Sequence, residues 1–265
     1  MRRMGLLVLS LSLLLISSAW AEEWSKTFNI SGKADLKVMT SDANITVDTW
    51  DENTIQAHVT TEHYKIGEGG ITIRDSQNGD SVQLEVKYPH HDLHFGVNRG
   101  SVDIAIHMPR QGQVNLHTGD GSIRLTNLKG SMELDSGDGN LEVNSVDGTL
   151  RARTGDGHIR AEGRFDGVEI ATGDGHVETI AEKGSSLGSG WDVQTGDGNV
   201  TVEVPSNFAA DLELQSGDGR ISLDLPVTVE GRLETNHVRG KLNGGGAPLR
   251  VRTGDGSIAL KSAGV

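Results

Sequence analysis

The sequence predicts an all-β protein, specifically a single-stranded parallel β-solenoid (β-helix) with coils of about 18 residues and a less regular N-terminal β subregion. Two observations predict this fold. A Thr/Ser-Gly-Asp-Gly motif recurs through the second half of the chain, and the residues on both sides of each motif alternate between apolar and polar. The composition agrees, because 36 glycines and 4% aromatic residues are typical of many tight turns and short strands.

The motif occurs in seven intact copies, and the first three intervals between them are each 18 residues long. A degenerate copy around Thr235 divides the longest interval into 19 and 18 residues, and another degenerate copy lies at Thr40-Ser41-Asp42-Ala43. The aspartates of the intact copies form a periodic set: Asp120, Asp138, Asp156, Asp174, Asp197, Asp218 and Asp255. A fixed period of this kind indicates stacked structural repeats.

Each motif lies between two short segments with a period of two. Val114, Leu116 and Thr118 precede the first intact copy, and Ile123 and Leu125 follow it. Such alternation predicts strands with one buried face. Two strands cannot bury that face alone, whereas stacked units bury it together. An antiparallel meander with hairpins closed by Gly-Asp-Gly is the rival fold. The constant period favours the solenoid, because it places like residues at like heights.

The chain divides into three predicted segments. Residues 1–21 have the pattern of a secretory signal peptide, with Arg2 and Arg3 before a short apolar run and a cleavage pattern at Ala19-Trp20-Ala21. Residues 22–110 form an N-terminal β subregion that covers one end of the stack, and residues 111–265 form the repeat solenoid. We therefore expect an exported protein of the periplasm, cell surface or extracellular space, with no membrane span after cleavage.

Charge and cysteine content exclude some classes of function. The formal net charge of −13 argues against a nucleic-acid partner, which requires a basic face. The absence of cysteine excludes disulfides. An acidic exported chain is suited instead to divalent cations or basic surfaces.

The strand-rich N-terminal part and the repeated x-Leu-x-Val-x-Thr-Gly-Asp-Gly-x-Ile-x-Val units resemble the bacterial exported "putative adhesin" family of β-strand-repeat, domain-of-unknown-function proteins. The resemblance covers most of residues 30–262. It implies surface adhesion, and it brings no catalytic residues.

The seven motif aspartates have two interpretations. Stacked coils would align them as a column of carboxylates, which could bind calcium weakly. Alternatively, each aspartate accepts backbone N–H groups in a tight corner whose glycines supply positive φ. The chain lacks the nine-residue glycine-rich repeat of calcium-binding β-helices. The pattern therefore favours turn chemistry, with no required cofactor.

Two other sets of polar residues need an explanation. The Thr/Ser residues of the motif fall on the buried side by parity, where their hydroxyls are expected to bond to backbone. His90, Asp92 and His94 lie on one side of an extended segment and are candidate metal ligands, although the pattern favours a solvated hairpin loop. Neither set forms a nucleophile, base and orienting group, so no catalytic residue is predicted.

We therefore expect a non-enzymatic protein of the cell envelope whose flat faces bind an envelope protein or polysaccharide. A self-assembling envelope scaffold is the first alternative, since open strand edges can join copies. A carbohydrate-active β-helix enzyme is the second, because polysaccharide lyases and hydrolases use β-helices. Such enzymes need a cleft with convergent acids or bases, whereas the aspartates of this chain are periodic.

If the aspartates serve turn chemistry, removing calcium with a chelator should leave the melting temperature unchanged. The measurement is a thermal melt of the chelated protein, repeated after calcium is added back. A large rise in the melting temperature with calcium would instead identify the aspartate column as a cation site, because a ligand that binds only the folded state stabilises it.

Overall fold

The computed structural model describes residues 21–89, 100–188, 190–229 and 235–263. Within these ranges the chain forms 21 β-strands and no helix, so the all-β prediction is confirmed. No helix in this part of the chain is long and apolar enough to cross a membrane. The predicted signal peptide apart from Ala21, and the segment with His90, Asp92 and His94, lie outside the described residues.

The strands form two faces, which we call face A and face B. Face A contains the strands that precede each motif. In spatial order its strands are β5 (Thr72–Asn78), β6 (Ser81–Lys87), β2 (Ala34–Thr40), β8 (Gln111–Thr118), β10 (Lys129–Ser136), the second halves of β11 (Leu141–Thr154) and β12 (Ile159–Thr172), β14 (Trp191–Thr195), β20 (Pro248–Thr253), β16 (Ala210–Ser216), β19 (His237–Leu242) and β18 (Val227–Val229).

Face B contains the strands that follow each motif. In spatial order its strands are β1 (Ala21–Asn29), β4 (Thr54–Glu62), β7 (Val102–Pro109), β3 (Asn44–Trp50), β9 (Ile123–Thr126), the first halves of β11 and β12, β13 (Val177–Ala181), β15 (Val200–Val204), β21 (Ile258–Ser262) and β17 (Ile221–Leu223). One coil is thus a strand of face A, the motif corner, and a strand of face B.

Neighbouring coils of the repeat region are parallel and in register. Ser136 pairs with Thr118, and Thr154 pairs with Thr172, so each motif lies directly above the previous one. The alternating apolar residues all point inward and form one continuous core, in which residues such as Leu116, Leu134 and Ile170 are fully buried. The predicted period-two strands and their buried side are confirmed by this arrangement.

The sheet is mixed, and this corrects the prediction of a wholly parallel solenoid. On face B, β4 pairs antiparallel with both β1 and β7. On face A, β5 is antiparallel to β6, and β19 is antiparallel to β16 and β18. Antiparallel strands therefore flank the parallel coils. A reversed strand at the end of a stack cannot continue the repeat, so it limits further addition of coils.

The coils are not stacked in the order of the sequence. β20 and β21 lie between the coil of β14 and β15 and the coil of β16 and β17, although they come last in the chain. At the other end, β2 and β3 likewise lie between the coil of β8 and β9 and the strands β6 and β7. The first and last coils of the chain are thus each bonded on both sides.

An aromatic cluster fills the core beside residues 183–190, which lie between β13 and β14. Trp191 packs against Phe165 edge-on, with ring centroids 6.0 Å apart, and against Phe208 at 5.1 Å. The Trp191 indole donates a hydrogen bond to the carbonyl of Ser186 at 3.0 Å, and Leu187 is buried. The described part of this segment therefore packs against the coils and contributes to the core.

Deleting residues 246–265 should release the preceding coil, because β16 and β17 then lose the parallel partners β20 and β21. We expect the amides of β16 and β17 to lose hydrogen-exchange protection while those of β10 and β11 keep it. A chain that ends at Ser262 is the control. Retained protection in the deletion variant would show that β16 and β17 can pair directly with β14 and β15.

Candidate functional site

The motif corner is held by a column of buried hydroxyls. Thr154 donates a hydrogen bond to the carbonyl of Gly139 in the neighbouring coil at 2.9 Å, and Thr172 donates to Gly157 at the same distance. The same contact recurs at each intact motif: Thr118 to Ala43, Ser136 to Gly121, Thr195 to Gly175, Thr253 to Gly198 and Ser216 to Gly256. The expectation that these hydroxyls are buried and bond to backbone is confirmed.

Several hydroxyls of this column also accept a hydrogen bond from their own corner. The N–H of Gly139 donates to Ser136 at 3.0 Å, and that of Gly256 donates to Thr253 at 3.2 Å. Such a hydroxyl is occupied as both donor and acceptor by backbone. Each bond of this kind is worth about 1 kcal/mol of stability. The hydroxyls are therefore structural and are not free to act as nucleophiles.

The motif glycines permit close approach between coils and do not supply positive φ, as the sequence argument assumed. None of them has positive φ in the structure. A Cβ atom on Gly157 would instead lie within 3.0 Å of the carbonyl oxygen of Gly139, where real Cβ atoms are essentially never found. Positive φ occurs at the opposite corner of the coil, at Gly130 and Gly148. Glycine is therefore required at the motif because adjacent coils approach closely, and not because of positive φ.

The first glycine of each motif extends the contact into a ladder of backbone hydrogen bonds. Its N–H donates to the carbonyl of the first glycine in the neighbouring coil, for example from Gly196 to Gly173 at 2.6 Å. The ladder continues from Gly254 to Gly196 and from Gly217 to Gly254, which follows the spatial order of the coils rather than the sequence.

The seven motif aspartates form an exposed column along this corner. Within the part of the chain that the structure describes, their carboxylates accept no hydrogen bond and form no ion pair. The expectation that they accept backbone N–H groups is therefore wrong. The backbone N–H groups of five of them donate instead to the neighbouring coil, as from Asp218 to Gly254 at 3.1 Å. Calcium binding by the column stays a prediction. Among the described residues no group of three His, Cys, Asp or Glu side chains could hold a metal ion.

The residue directly after each motif forms a second column, which we call the corner column. Its members are Asn44, Ser122, Asn140, His158, His176, Asn199, Ser257 and Arg220. The sequence predicts that this register faces solvent, and these residues are exposed. The sequence argument did not predict that these residues are linked to one another. The signal that could have revealed the links is that most of them have a short side chain that can accept a hydrogen bond.

The links run from side chain to backbone, one coil to the next. Asn140 Oδ1 accepts the N–H of His158 at 2.8 Å, and His158 Nδ1 accepts the N–H of His176 at 2.9 Å. His176 Nδ1 then accepts the N–H of Asn199 at 3.0 Å, and Asn199 Oδ1 accepts the N–H of Ser257 at 2.8 Å. The two imidazole rings are stacked, with centroids 5.0 Å apart and planes 5° from parallel.

A column of alternating charge runs beside the corner column on face B. We call it the charge column, and its members on four successive coils are Arg124, Glu142, Arg160 and Glu178. Arg124 contacts Glu142 at 2.7 Å, and Arg160 forms an ion pair with Glu178. Hydrogen bonds from the Asn144 amide and from Arg124 hold the pKa of Glu142 below its usual range. The hydrogen bond to Glu178 raises the pKa of Arg160.

The corner column and the charge column border a shallow groove with a volume of about 480 Å³. Leu141, Ile159 and Val177 lie at its base, and Asn140 and Asn199 mark its two ends. The groove follows the stacking direction, so it crosses several coils.

Face A and the second corner also carry paired charges. Arg153 contacts Glu169 on face A, and Arg250 contacts Glu213 at 3.4 Å. At the second corner, Arg164 binds Asp166 through two hydrogen bonds of 2.6 Å and also contacts Asp147. These bonds hold the pKa of both aspartates below the usual range. Charges on face A and at the second corner are thus paired, several of them with a residue of an adjacent coil.

This chain matches one known protein family and is similar to several solved structures. The model of the Toastrack DUF4097 family matches residues 29–261. No functionally curated protein matches the chain. Similar solved structures include a "putative cell adhesion protein" from Clostridium sporogenes ATCC 15579, with 14% identity, a TM-score of 0.40, and coverage of 92% of this chain and 100% of the other.

Two further structures have comparable similarity. A "putative adhesin" from Bacteroides fragilis NCTC 9343 is 10% identical, with a TM-score of 0.45 and coverage of 91% of this chain and 97% of the other. A "putative lipid binding protein" from Parabacteroides distasonis ATCC 8503 is 14% identical, with a TM-score of 0.37 and coverage of 90% and 96%. The match to the family model confirms the resemblance to a domain-of-unknown-function family.

The close contact at the corner predicts that Gly157→Ala lowers the free energy of unfolding by about 1–3 kcal/mol, the usual cost of overpacking. Gly167→Ala is the matched control, because a Cβ there meets only the Thr149 methyl group at 3.8 Å. Its effect should stay within about 0.5 kcal/mol. Urea denaturation measures both variants, and equal stabilities would contradict the role assigned to the corner.

Proposed function

Starting from the fact that this chain belongs to the Toastrack DUF4097 family, we propose that it is an exported, non-enzymatic binding protein of the cell envelope. In this proposal the coils form a solenoid whose flat faces contact a polymer or protein partner. Export rests on the signal-peptide pattern of residues 1–21.

The observation that supports the proposal is the regular and fixed arrangement of the outward side chains. On face B, the charge column and the corner column repeat at the spacing of the coils, about 4.8 Å. Their side chains are bonded to adjacent coils, so little conformational freedom is left to lose when a partner binds. Surfaces that are ordered in advance bind with a smaller entropic cost. A stack of identical coils is suited to extended partners for this reason.

The polar groups of the motif support a role without catalysis. The buried hydroxyls are bonded to backbone, and the motif aspartates lie on an exposed convex corner. A glycoside-cleaving enzyme places an acid and a base on opposite sides of a cleft. In the groove of face B, Glu142 and Glu178 are both paired with arginines of the same column. Both carboxylates therefore lie on the same wall of the groove, and neither faces a second acid across it.

A charge exchange within one column tests the proposal. Arg124→Glu, Glu142→Arg, Arg160→Glu and Glu178→Arg in one variant keep the net charge and the alternation but invert the pattern presented to a partner. The labelled mature chain should bind isolated cell envelopes saturably, and this variant should bind at least about tenfold more weakly, which corresponds to about 1.4 kcal/mol.

The melting temperature of the variant controls for folding. Absence of saturable binding by the unmodified chain would contradict the proposal. Incubation with cell-wall and capsular glycans tests for catalysis, and the release of new reducing ends would identify an enzyme instead. Sedimentation at increasing concentration tests the scaffold alternative, for which the mass must rise with concentration.

A further inference from the structure

The corner column fixes which atoms of its side chains face solvent. In Asn140 and Asn199, Oδ1 accepts a backbone N–H from the neighbouring coil, so the Nδ2 amide group is directed outward. In His158 and His176, Nδ1 is the acceptor, which places the ring proton on Nε2. Four successive coils therefore present an N–H donor at the same height.

These donors form a regular and rigid row. The stacked imidazoles are 5.0 Å apart and nearly parallel, which matches the spacing of adjacent strands at about 4.8 Å. Each side chain is bonded to the backbone of the next coil, so none of them can rotate without breaking a hydrogen bond. The row thus has a fixed direction along the stack.

The other side of the groove offers both kinds of hydrogen-bonding group. Glu142 and Glu178 supply acceptor oxygens, Arg160 supplies donors, and Thr201 supplies a hydroxyl. A ligand that matches this groove must accept hydrogen bonds from one wall and exchange both kinds with the other. It must also be long enough to follow several coils.

We propose that this groove binds one extended strand of an uncharged, hydroxyl-rich polysaccharide, which lies along the stacking direction with its oxygens on the donor row. This inference rests on the proposed binding function and assigns it a site and a ligand class. Hydroxyl groups both donate and accept, so each sugar unit can satisfy both walls of the groove.

Two other classes of extended polymer fit the groove less well. Acidic polymers are opposed by the net charge of −13, and the donor row is built from neutral groups rather than cations. An extended peptide is recognised through main-chain pairing at a free strand edge. The backbone at this groove is already paired on both sides, because β11, β12 and β13 lie inside the sheet.

Isosteric variants separate the donor row from the fold. In His158→Asp/His176→Asp, the carboxylate oxygen can still accept the backbone N–H, but an acceptor replaces the outward donor. In His158→Asn/His176→Asn, the amide keeps both the backbone bond and the outward N–H, as Asn140 and Asn199 do. The pair Gln113→Glu/Gln194→Glu adds the same two negative charges on exposed positions of face A.

The probe is a soluble, linear mixed-linkage β-glucan, with polygalacturonate as its acidic counterpart, measured by titration calorimetry. We expect the unmodified chain, the double Asn variant and the face A variant to bind the glucan within about threefold of one another. The double Asp variant should bind at least about tenfold more weakly, because hydrogen bonds are lost and acceptors oppose acceptors.

Three results would overturn the proposal: no glucan binding by the unmodified chain, equal losses in the Asn and Asp variants, or polygalacturonate binding as tight as that of the glucan. Melting temperatures show whether the variants fold. Envelope binding by the double Asp variant, compared with that of the unmodified chain, separates the groove assignment from the proposed binding function. If the glucan does not bind but envelope binding persists, the groove assignment fails and the proposed function survives.

Discussion

The whole stack depends on how closely the backbones of adjacent coils approach at the motif corner. The second glycine of each motif lies where any side chain would collide with the carbonyl of the coil beside it, as at Gly157 and Gly175. The same carbonyl accepts a hydrogen bond from the Thr hydroxyl of the same motif, from Thr154 at Gly139 and from Thr172 at Gly157. Close contact and hydrogen bonding thus require each other, since a bulkier corner would separate the hydroxyl from its acceptor.

Stacking in register has a cost that the outward residues must offset. It places equivalent positions of adjacent coils about 4.8 Å apart, where like charges repel by about 1 kcal/mol in water. The charge column offsets this by alternating sign from coil to coil. Most of the corner column, apart from Arg220, avoids it with polar side chains such as Asn140 and His158, which accept backbone N–H groups. The motif aspartates keep like charges together, but they are exposed, where solvent and salt screen the repulsion.

Local pattern was sufficient to predict much of the fold and part of the site. The alternation around Thr118 predicts two strands and a buried hydroxyl, and both are observed. The φ of the motif glycines was predicted wrongly. A glycine that is required because a neighbouring coil leaves no room for a Cβ atom looks the same in the sequence as a glycine that is required for positive φ. The hydrogen bonds that link the corner column join residues of different coils. They cannot be predicted until it is known which residues of adjacent coils are paired.

The order of the coils could not be predicted for a related reason. Every intact motif offers the same hydroxyl, carbonyl and glycine contacts, so Thr195 could be followed equally well by Ser216 or by Thr253. The structure places Thr253 there. A corner that is equivalent in all coils stabilises every stacking order alike, so the choice must come from residues that differ between coils. Antiparallel strands such as β4 and β19 end the parallel series, and the cluster of Phe165, Trp191 and Phe208 fits one place in the core. The same logic applies to recognition. A partner that binds one part of the stack in preference to another must contact the outward columns, because the residues of these columns differ from coil to coil.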